Sequence, residues 1–590
     1  MIDIDGDSLP DLIYTDPGYI TSNKGHNFYV NKGRGNWQQN PEISTMSPAY
    51  SLENQGVMMS DMDGDGLADL YVKDIRRNGF FKNTGNLVWN ETDWKPYNVN
   101  PYFSFESSNI RLLDINNDKR IDVLFDSGSS YYIWLNPTDG QNWKLDFNYN
   151  SKLPGGGYIV LNQPGVRFID MNGDHIDDLV IVQDKYVSFY PSKGFGAFDN
   201  EVTMRNVPKD LGYLANQLEI TDINNDGIAD LVLVGDRYVN IWLNAAEGSF
   251  NSVIELHDTP ALSADSAHRF ADMDGDGFRD LLITNESAID RYQYVSFNQG
   301  THPNLLTSIK NGFGMETTID YKSSTVDYLA DRDAGKPWAQ KLPFPVQVVS
   351  KVTVKDALSG QTYVTDYHYR DGYYDGVEKE FRGFGEVVKH EYGGQDAPGL
   401  LSLHGFDVGK DYESRKGMTT SLALLTESGG LNPLQGVFEK ADHSLTTRTL
   451  LTGTNGQAVT HSFTSATRAQ IYELTTSPKT LLKTWDQDAY GNITQEFDYG
   501  LVEGDNRAAG QDEVLTTTQY KYDPIKWIMD RPSEIRKTGL DGGFVNLQKL
   551  SYDGNGGLTV DERSPDGTQF IPILRNEFDV YGNIIKLTDA

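Results

Sequence analysis

The sequence predicts an all-β chain whose first half is a ring of small sheets, and three observations carry that prediction. An aspartate-rich nine-residue loop, D-x-[DN]-x-D-x-x-x-D, recurs six times between residues 3 and 280, each copy running straight into a short apolar strand. The first residues of successive copies lie 58, 53, 56, 52 and 50 positions apart, the length of a four-stranded propeller blade rather than of a helical repeat. Aromatic residues make up 12% of the 590, with 33 Tyr, and there are 57 Gly, a composition suited to many short strands and tight turns.

Positions 1, 3, 5 and 9 of each loop are candidate metal ligands. They are Asp3, Asp5, Asp7 and Asp11; Asp61, Asp63, Asp65 and Asp69; Asp114, Asn116, Asp118 and Asp122; Asp170, Asn172, Asp174 and Asp178; Asp222, Asn224, Asp226 and Asp230; and Asp272, Asp274, Asp276 and Asp280. Oxygens at this spacing, with a backbone carbonyl at position 7, wrap a hard cation in the six to eight contacts that Ca²⁺ takes. Structural Ca²⁺ at several sites is therefore the expected cofactor. Carboxylates this close repel one another unless a cation neutralises them. A helical EF-hand is excluded, because its loop needs Glu at position 12, where this chain has Tyr14, Val72, Phe125, Ile181, Leu233 and Ile283. At position 6, where Gly permits positive φ, Lys119 and His175 stand in the third and fourth loops, which are expected to be the weakest sites. Imidazole suits Ca²⁺ poorly, so His175 is read as an exposed turn residue.

Each loop is expected between two strands, as with Val57-Met58-Met59 and Leu70-Tyr71-Val72 around the second, or Leu218-Glu219-Ile220 and Leu231-Val232-Leu233 around the fifth. Period-two strands ending in Asn follow, such as Ile133-Trp134-Leu135-Asn136 and Val239-Asn240-Ile241-Trp242-Leu243-Asn244. This succession resembles the FG-GAP/VCBS repeats of integrin-type β-propellers over about residues 1–300, which implies a metal-binding role for the Asp and Asn just named.

Beyond residue 300 the aspartate loops stop. Tyr367-His368-Tyr369-Arg370-Asp371-Gly372-Tyr373-Tyr374-Asp375-Gly376 and Glu380-Phe381-Arg382-Gly383-Phe384-Gly385, following a propeller, resemble the middle region of the B subunit of bacterial insecticidal Tc toxin complexes and of related SpvB/Rhs proteins. Tyr490-Gly491-Asn492, Tyr552-Asp553-Gly554-Asn555-Gly556 and Tyr581-Gly582-Asn583 resemble Rhs/YD repeats. The expected division is a propeller over 1–300, a Tc B-type middle region over 301–395, and a β-rich segment leading into Rhs/YD repeats over 396–590.

The resemblance implies a non-enzymatic scaffold of a secreted or extracellular toxin-delivery complex. In that role the propeller docks and gates on a pore-forming partner, and the Rhs strands begin a shell around a toxic cargo. The alternative is a secreted or surface-attached propeller binding module, an adhesin for glycan or host protein, which has no need of the C-terminal half.

Other classes are disfavoured by the residues themselves. A net charge of −33 argues against a nucleic-acid partner, and no apolar run is long enough for a membrane span. The chain has no Cys, hence neither a disulfide framework nor a thiol nucleophile. His390-Glu391 begins like a zinc-protease helix, but Gly394 stands where the second His belongs. Gly335-Lys336 is followed by Pro337 and preceded by Ala330 where a phosphate loop needs Gly, and no G-x-S-x-G elbow is present. Met1 falls two residues before the first ligand, which reads as a fragment truncated at its N-terminus. The first blade is then expected to lack a strand and leave an unpaired edge, with a further blade upstream.

Overall fold

A computed structural model describes the chain except for residues 16–25, 39–41, 45–49, 86–88, 99–106, 137–142, 152, 210, 212–217, 264, 286–290, 298–302, 395–397, 428–435, 455, 540–542 and 590. Two compact units result: Met1–Val352 with Arg370–Phe381, and Thr353–Tyr369 with Arg382–Ala590. The boundaries expected at 300 and 395 fall outside the described residues.

In the first unit, the described residues arrange the expected blades as six small antiparallel sheets in sequence order, with four strands described in the second to fifth and three in the first and sixth. The second sheet, for example, is built from Val57–Ser60, Asp69–Lys73, Asn78–Phe81 and Trp94–Pro96. Each aspartate loop is the turn of the first hairpin. Its ninth residue pairs with the residue just before its first, as in Ser60 with Asp69, Thr221 with Asp230 and Ala271 with Asp280. In the first sheet, the chain before the loop contributes a single bridge, Ile2 with Asp11.

In the second to sixth sheets the strand after the loop is buried on both faces, and its period of two divides its side chains between neighbours, whereas in the first sheet Leu12–Thr15 is half-buried with Tyr14 exposed. Leu70 and Val72 pack with Ile4 and Phe28 of the first sheet, whereas Tyr71 packs with Ile110 and Trp134 of the third. Likewise Leu231 and Leu233 face Val180 and Phe189 of the fourth sheet, while Val232 and Val234 face Leu281 and Ile283 of the sixth. The core is therefore a series of layers between sheets, and an apolar run after each loop is what such a stack requires.

Among the described residues, one longer element departs from the all-strand expectation. Residues Ser324–Asp333 form an α-helix, entered through Ser323, whose Oγ accepts the N–H of Thr325 and donates to Gly275 O at 2.6 Å. Ser323 is buried, so Ser323→Ala removes both a cap and a loop anchor. The expected loss is about 1–2 kcal/mol in denaturant unfolding, the usual range for a helix cap.

The second unit contains the strands from Leu400–Asp407 to Ile584–Asp589, each hydrogen-bonded antiparallel to the next. Its Gly-Asn turns share one construction. Asp488 Oδ1 accepts the N–H of Tyr490 and Asn492 at 2.8 and 2.9 Å, and Gly491 adopts φ 92°. Asp553 accepts from Asn555 and Gly557, and Asp579 from Tyr581 and Asn583, around Gly556 at φ 84° and Gly582 at φ 86°. A β-carbon is costly at such angles, so Gly is required there, while the aspartate fixes the turn that sets the next strand's register.

Candidate metal loops

The first aspartate of each loop shapes the backbone. Asp61 Oδ1 accepts the N–H of Asp65 at 3.1 Å and Oδ2 that of Gly66 at 2.8 Å; Asp272 makes the same two bonds with Asp276 and Gly277 at 3.1 and 2.8 Å. Position 6 lies in the left-handed region in every copy: Ser8, Lys119 and His175 at φ 72°, 62° and 64°, and Gly66, Gly227 and Gly277 at 90°, 87° and 92°. Ser8 is thus a third departure from Gly that the sequence reading passed over. The strain at an exposed copy is removable. His175→Gly is expected to raise stability by about 1 kcal/mol, since a left-handed non-glycine residue costs roughly 1–2 kcal/mol, and a thermal melt in chelator would measure it.

The ninth aspartate is the most buried member, fully so in all six loops. Its Oδ2 accepts the N–H of position 2, from Ile4 at 3.1 Å through Met62, Ile115, Met171 and Ile223 to Met273 at 2.8 Å. Its Oδ1 accepts a second backbone N–H from the end of the third strand: Asn31 at 2.8 Å, and Asn83, Asn136, Ser192 and Asn244 at 2.7 Å each. The asparagines among these act as latches. Each passes its side-chain amide to the position-2 carbonyl of the preceding sheet's loop, Asn83 to Ile4 and Asn136 to Met62 at 2.8 Å, Asn244 to Met171 at 3.1 Å. Asn31 reaches Met273 at 3.1 Å, so the sixth sheet is the direct neighbour of the first, where the sequence led to the expectation of a further blade between them. Ser192 is too short for this, and the N–H of Phe195 bonds Ile115 O at 2.6 Å instead.

Positions 3 and 5 separate the loops into two kinds. In the third, fourth and fifth, the asparagine amide donates to the position-5 carboxylate: Asn116 to Asp118 at 3.0 Å, Asn172 to Asp174 at 2.9 Å, Asn224 to Asp226 at 3.0 Å. These loops relieve their own repulsion in part. In the other three, carboxylates converge. Ligand oxygens of Asp3, Asp5 and Asp11, of Asp61, Asp63 and Asp69, and of Asp272, Asp274 and Asp276 each lie within 4.8 Å of one another.

Burial first, and neighbouring carboxylates second, push Asp3 up to about 7 and Asp7 to about 9. Burial likewise raises Asp11, Asp272 and Asp280 to about 7 and Asp61 to about 6. Asp5 Oδ1 is buried and accepts no hydrogen bond. Clustered hard oxygens with one left unsatisfied fit a divalent cation of the Ca²⁺ kind.

Within the same unit, the segment around the helix covers these carboxylate-rich loops. Lys341 Nζ donates to Asp5 O at 2.6 Å, Ser8 Oγ to Leu342 O at 2.6 Å, Gln347 Nε2 to Asp276 O at 2.9 Å, and Lys379 Nζ to Asp63 O. The near-catalytic fragments of the sequence take up ordinary structural places. His390 lies in a strand with Nε2 3.1 Å from Glu427 Oε1, and Lys336 lies just beyond the helix.

Comparison with known proteins agrees with this architecture. Residues 243–397 match the family model of the insecticide toxin TcdB middle/N-terminal region, and residues 3–72 match that of the FG-GAP-like repeat. The resemblance read from the sequence thus holds over both segments. The chain is similar in fold to a component of the Photorhabdus luminescens Tc holotoxin pore, with a TM-score of 0.79 and 18% identity over 96% of this chain and 31% of that one. It is similar also to the crystal structure of TcdB2-TccC3 without its hypervariable C-terminal region, at a TM-score of 0.70 and 17% identity over 100% of this chain and 35% of that one. The chain therefore spans about a third of the length of these structures. No curated protein sequence matches it.

Proposed function

We propose that the chain is a non-enzymatic scaffold segment of a secreted toxin-delivery complex. The propeller, with structural Ca²⁺ in its carboxylate-rich loops, presents a rigid face that docks and gates on a pore-forming partner. The strands after residue 400 begin an Rhs-type shell around a toxic cargo. What carries this reading is the succession of parts: six aspartate-loop sheets, a TcdB-type segment over 243–397 that takes in the sixth of them, and then a long antiparallel sheet in strict sequence order. An adhesin accounts for the first part alone.

Rigidity supports the docking role. Latched sheets with cores between them resist bending, and a partner that meets such a face loses little ordering entropy. The test is to mix the full chain with the pore-forming subunit of a Tc-type complex and follow the mixture by size-exclusion chromatography. Co-elution in millimolar Ca²⁺, weakened in chelator, is the expected result. Separate elution of the two proteins in Ca²⁺ overturns the docking role.

A further inference from the structure

Lys82 separates the second loop from its relatives. It follows the strand Asn78–Phe81 and directly precedes the latch Asn83, whose own N–H is held by Asp69 Oδ1 at 2.7 Å. From this anchored stem, Nζ donates to Asp63 Oδ2 and, at 2.6 Å, to Asp65 Oδ2, the carboxylates at positions 3 and 5. The ammonium sits among the oxygens that would hold the metal, with 31% of its side chain exposed. The residues preceding the other latch positions are Val30, Leu135, Pro191 and Leu243, none able to do this. A second ammonium, that of Lys379, donates to Asp63 O.

The first loop, equally rich in carboxylates, is arranged differently. Asp5 Oδ1 is left without a hydrogen bond, and Lys341 Nζ stands 3.5 Å from Asp5 Oδ2 on a side chain 42% exposed.

We infer that the second loop carries its own cation, the ammonium of Lys82, and takes no Ca²⁺ while that lysine is present; the inference rests on the calcium reading of the other carboxylate-rich loops. A tethered ammonium acts at a high effective concentration, and a divalent ion entering the loop must displace it and then bear the repulsion of a positive charge beside it. Positions 3 and 5 satisfy Lys82 as they would satisfy a metal. The loop keeps the shape of its relatives without their dependence on Ca²⁺.

The experiment is calorimetric titration of CaCl₂ into the full chain, as wild type and as Lys82→Met, with Asp63→Ala introduced into each. Lys82→Met is expected to bind one more Ca²⁺ per chain than wild type. Asp63→Ala should leave the wild-type stoichiometry unchanged and abolish the extra ion in the Lys82→Met background. Melting supplies a readout independent of stoichiometry: Lys82→Met should melt below wild type in chelator, and Ca²⁺ should close that gap. Equal stoichiometry in wild type and Lys82→Met, or loss of one ion from wild type on Asp63→Ala, overturns the inference about Lys82 alone. Absence of binding to both overturns the calcium reading with it.

Discussion

The melting temperature in millimolar Ca²⁺ is expected to exceed that in chelator, and the gap should widen as the pH rises from about 5 to about 8. Without metal, the folded chain holds protons on Asp3, Asp11, Asp272 and Asp280, each pushed up to about 7 by burial. The same carboxyls titrate near 3.9 in an unfolded chain. Stability from this source is therefore complete below the unfolded pKa and is lost as the pH climbs through the folded one. On the calcium reading proposed above, Ca²⁺ would bind the ionised form and cancel the loss. At a Ca²⁺ concentration a hundredfold above Kd, each occupied site adds about 2.7 kcal/mol, and each kcal/mol moves the melting point of a unit this large by roughly 1–2 °C. Replacing both Asp272 and Asp274 by Ala should thus remove about 3–5 °C of the calcium-dependent shift. Superimposable melts in Ca²⁺ and chelator at every pH would show that the loops are turns and nothing more.

Loss of an inter-sheet latch should cost about 3 kcal/mol, with or without metal. Asn83 is buried, and its amide donates to Ile4 O at 2.8 Å and Ala68 O at 3.0 Å while its Oδ1 accepts the N–H of Gly85 at 2.9 Å. Asn83→Ala strands two buried carbonyls, each worth about 1–3 kcal/mol when unsatisfied, and a half-buried N–H, less whatever water can repair. Equilibrium urea unfolding in chelator would measure it. An effect below about 0.5 kcal/mol, the size of an ordinary surface change, would show that the sheets are held by their apolar layers alone.

The loops, their period and the strands that flank them were legible because each is local. An Asx-type turn and a two-residue alternation are written within nine to fifteen consecutive positions, and the segments from Tyr490 and Tyr581 were legible as turns for the same reason. The asparagine latches were visible only as strand-ending Asn, because their purpose lies in Ile4, Met62, Met171 and Met273, at least 70 positions away. Lys82 escaped notice similarly, since nothing in Phe81-Lys82-Asn83 names a loop 17 residues earlier. The helix Ser324–Asp333 did leave a trace: a Ser at the cap, with Val326, Leu329 and Ala330 at helical spacing. It was masked by its strand-rich surroundings. Loop strength was ranked by position 6, and the structure adds a second difference at position 3, where an asparagine amide donates to the carboxylate two residues on.

Ser192 gives the ring a seam. Asn31, Asn83, Asn136 and Asn244 each send a side chain across a junction, whereas at Ser192 the third and fourth sheets meet through the main chain of Phe195 and Ile115 over their shared apolar layer. A closed ring under strain parts at its poorest joint. Thermal breathing, proteolytic nicking or the pull of a large attached assembly should therefore find this wall of the propeller first, which gives an otherwise repetitive ring a defined place to open.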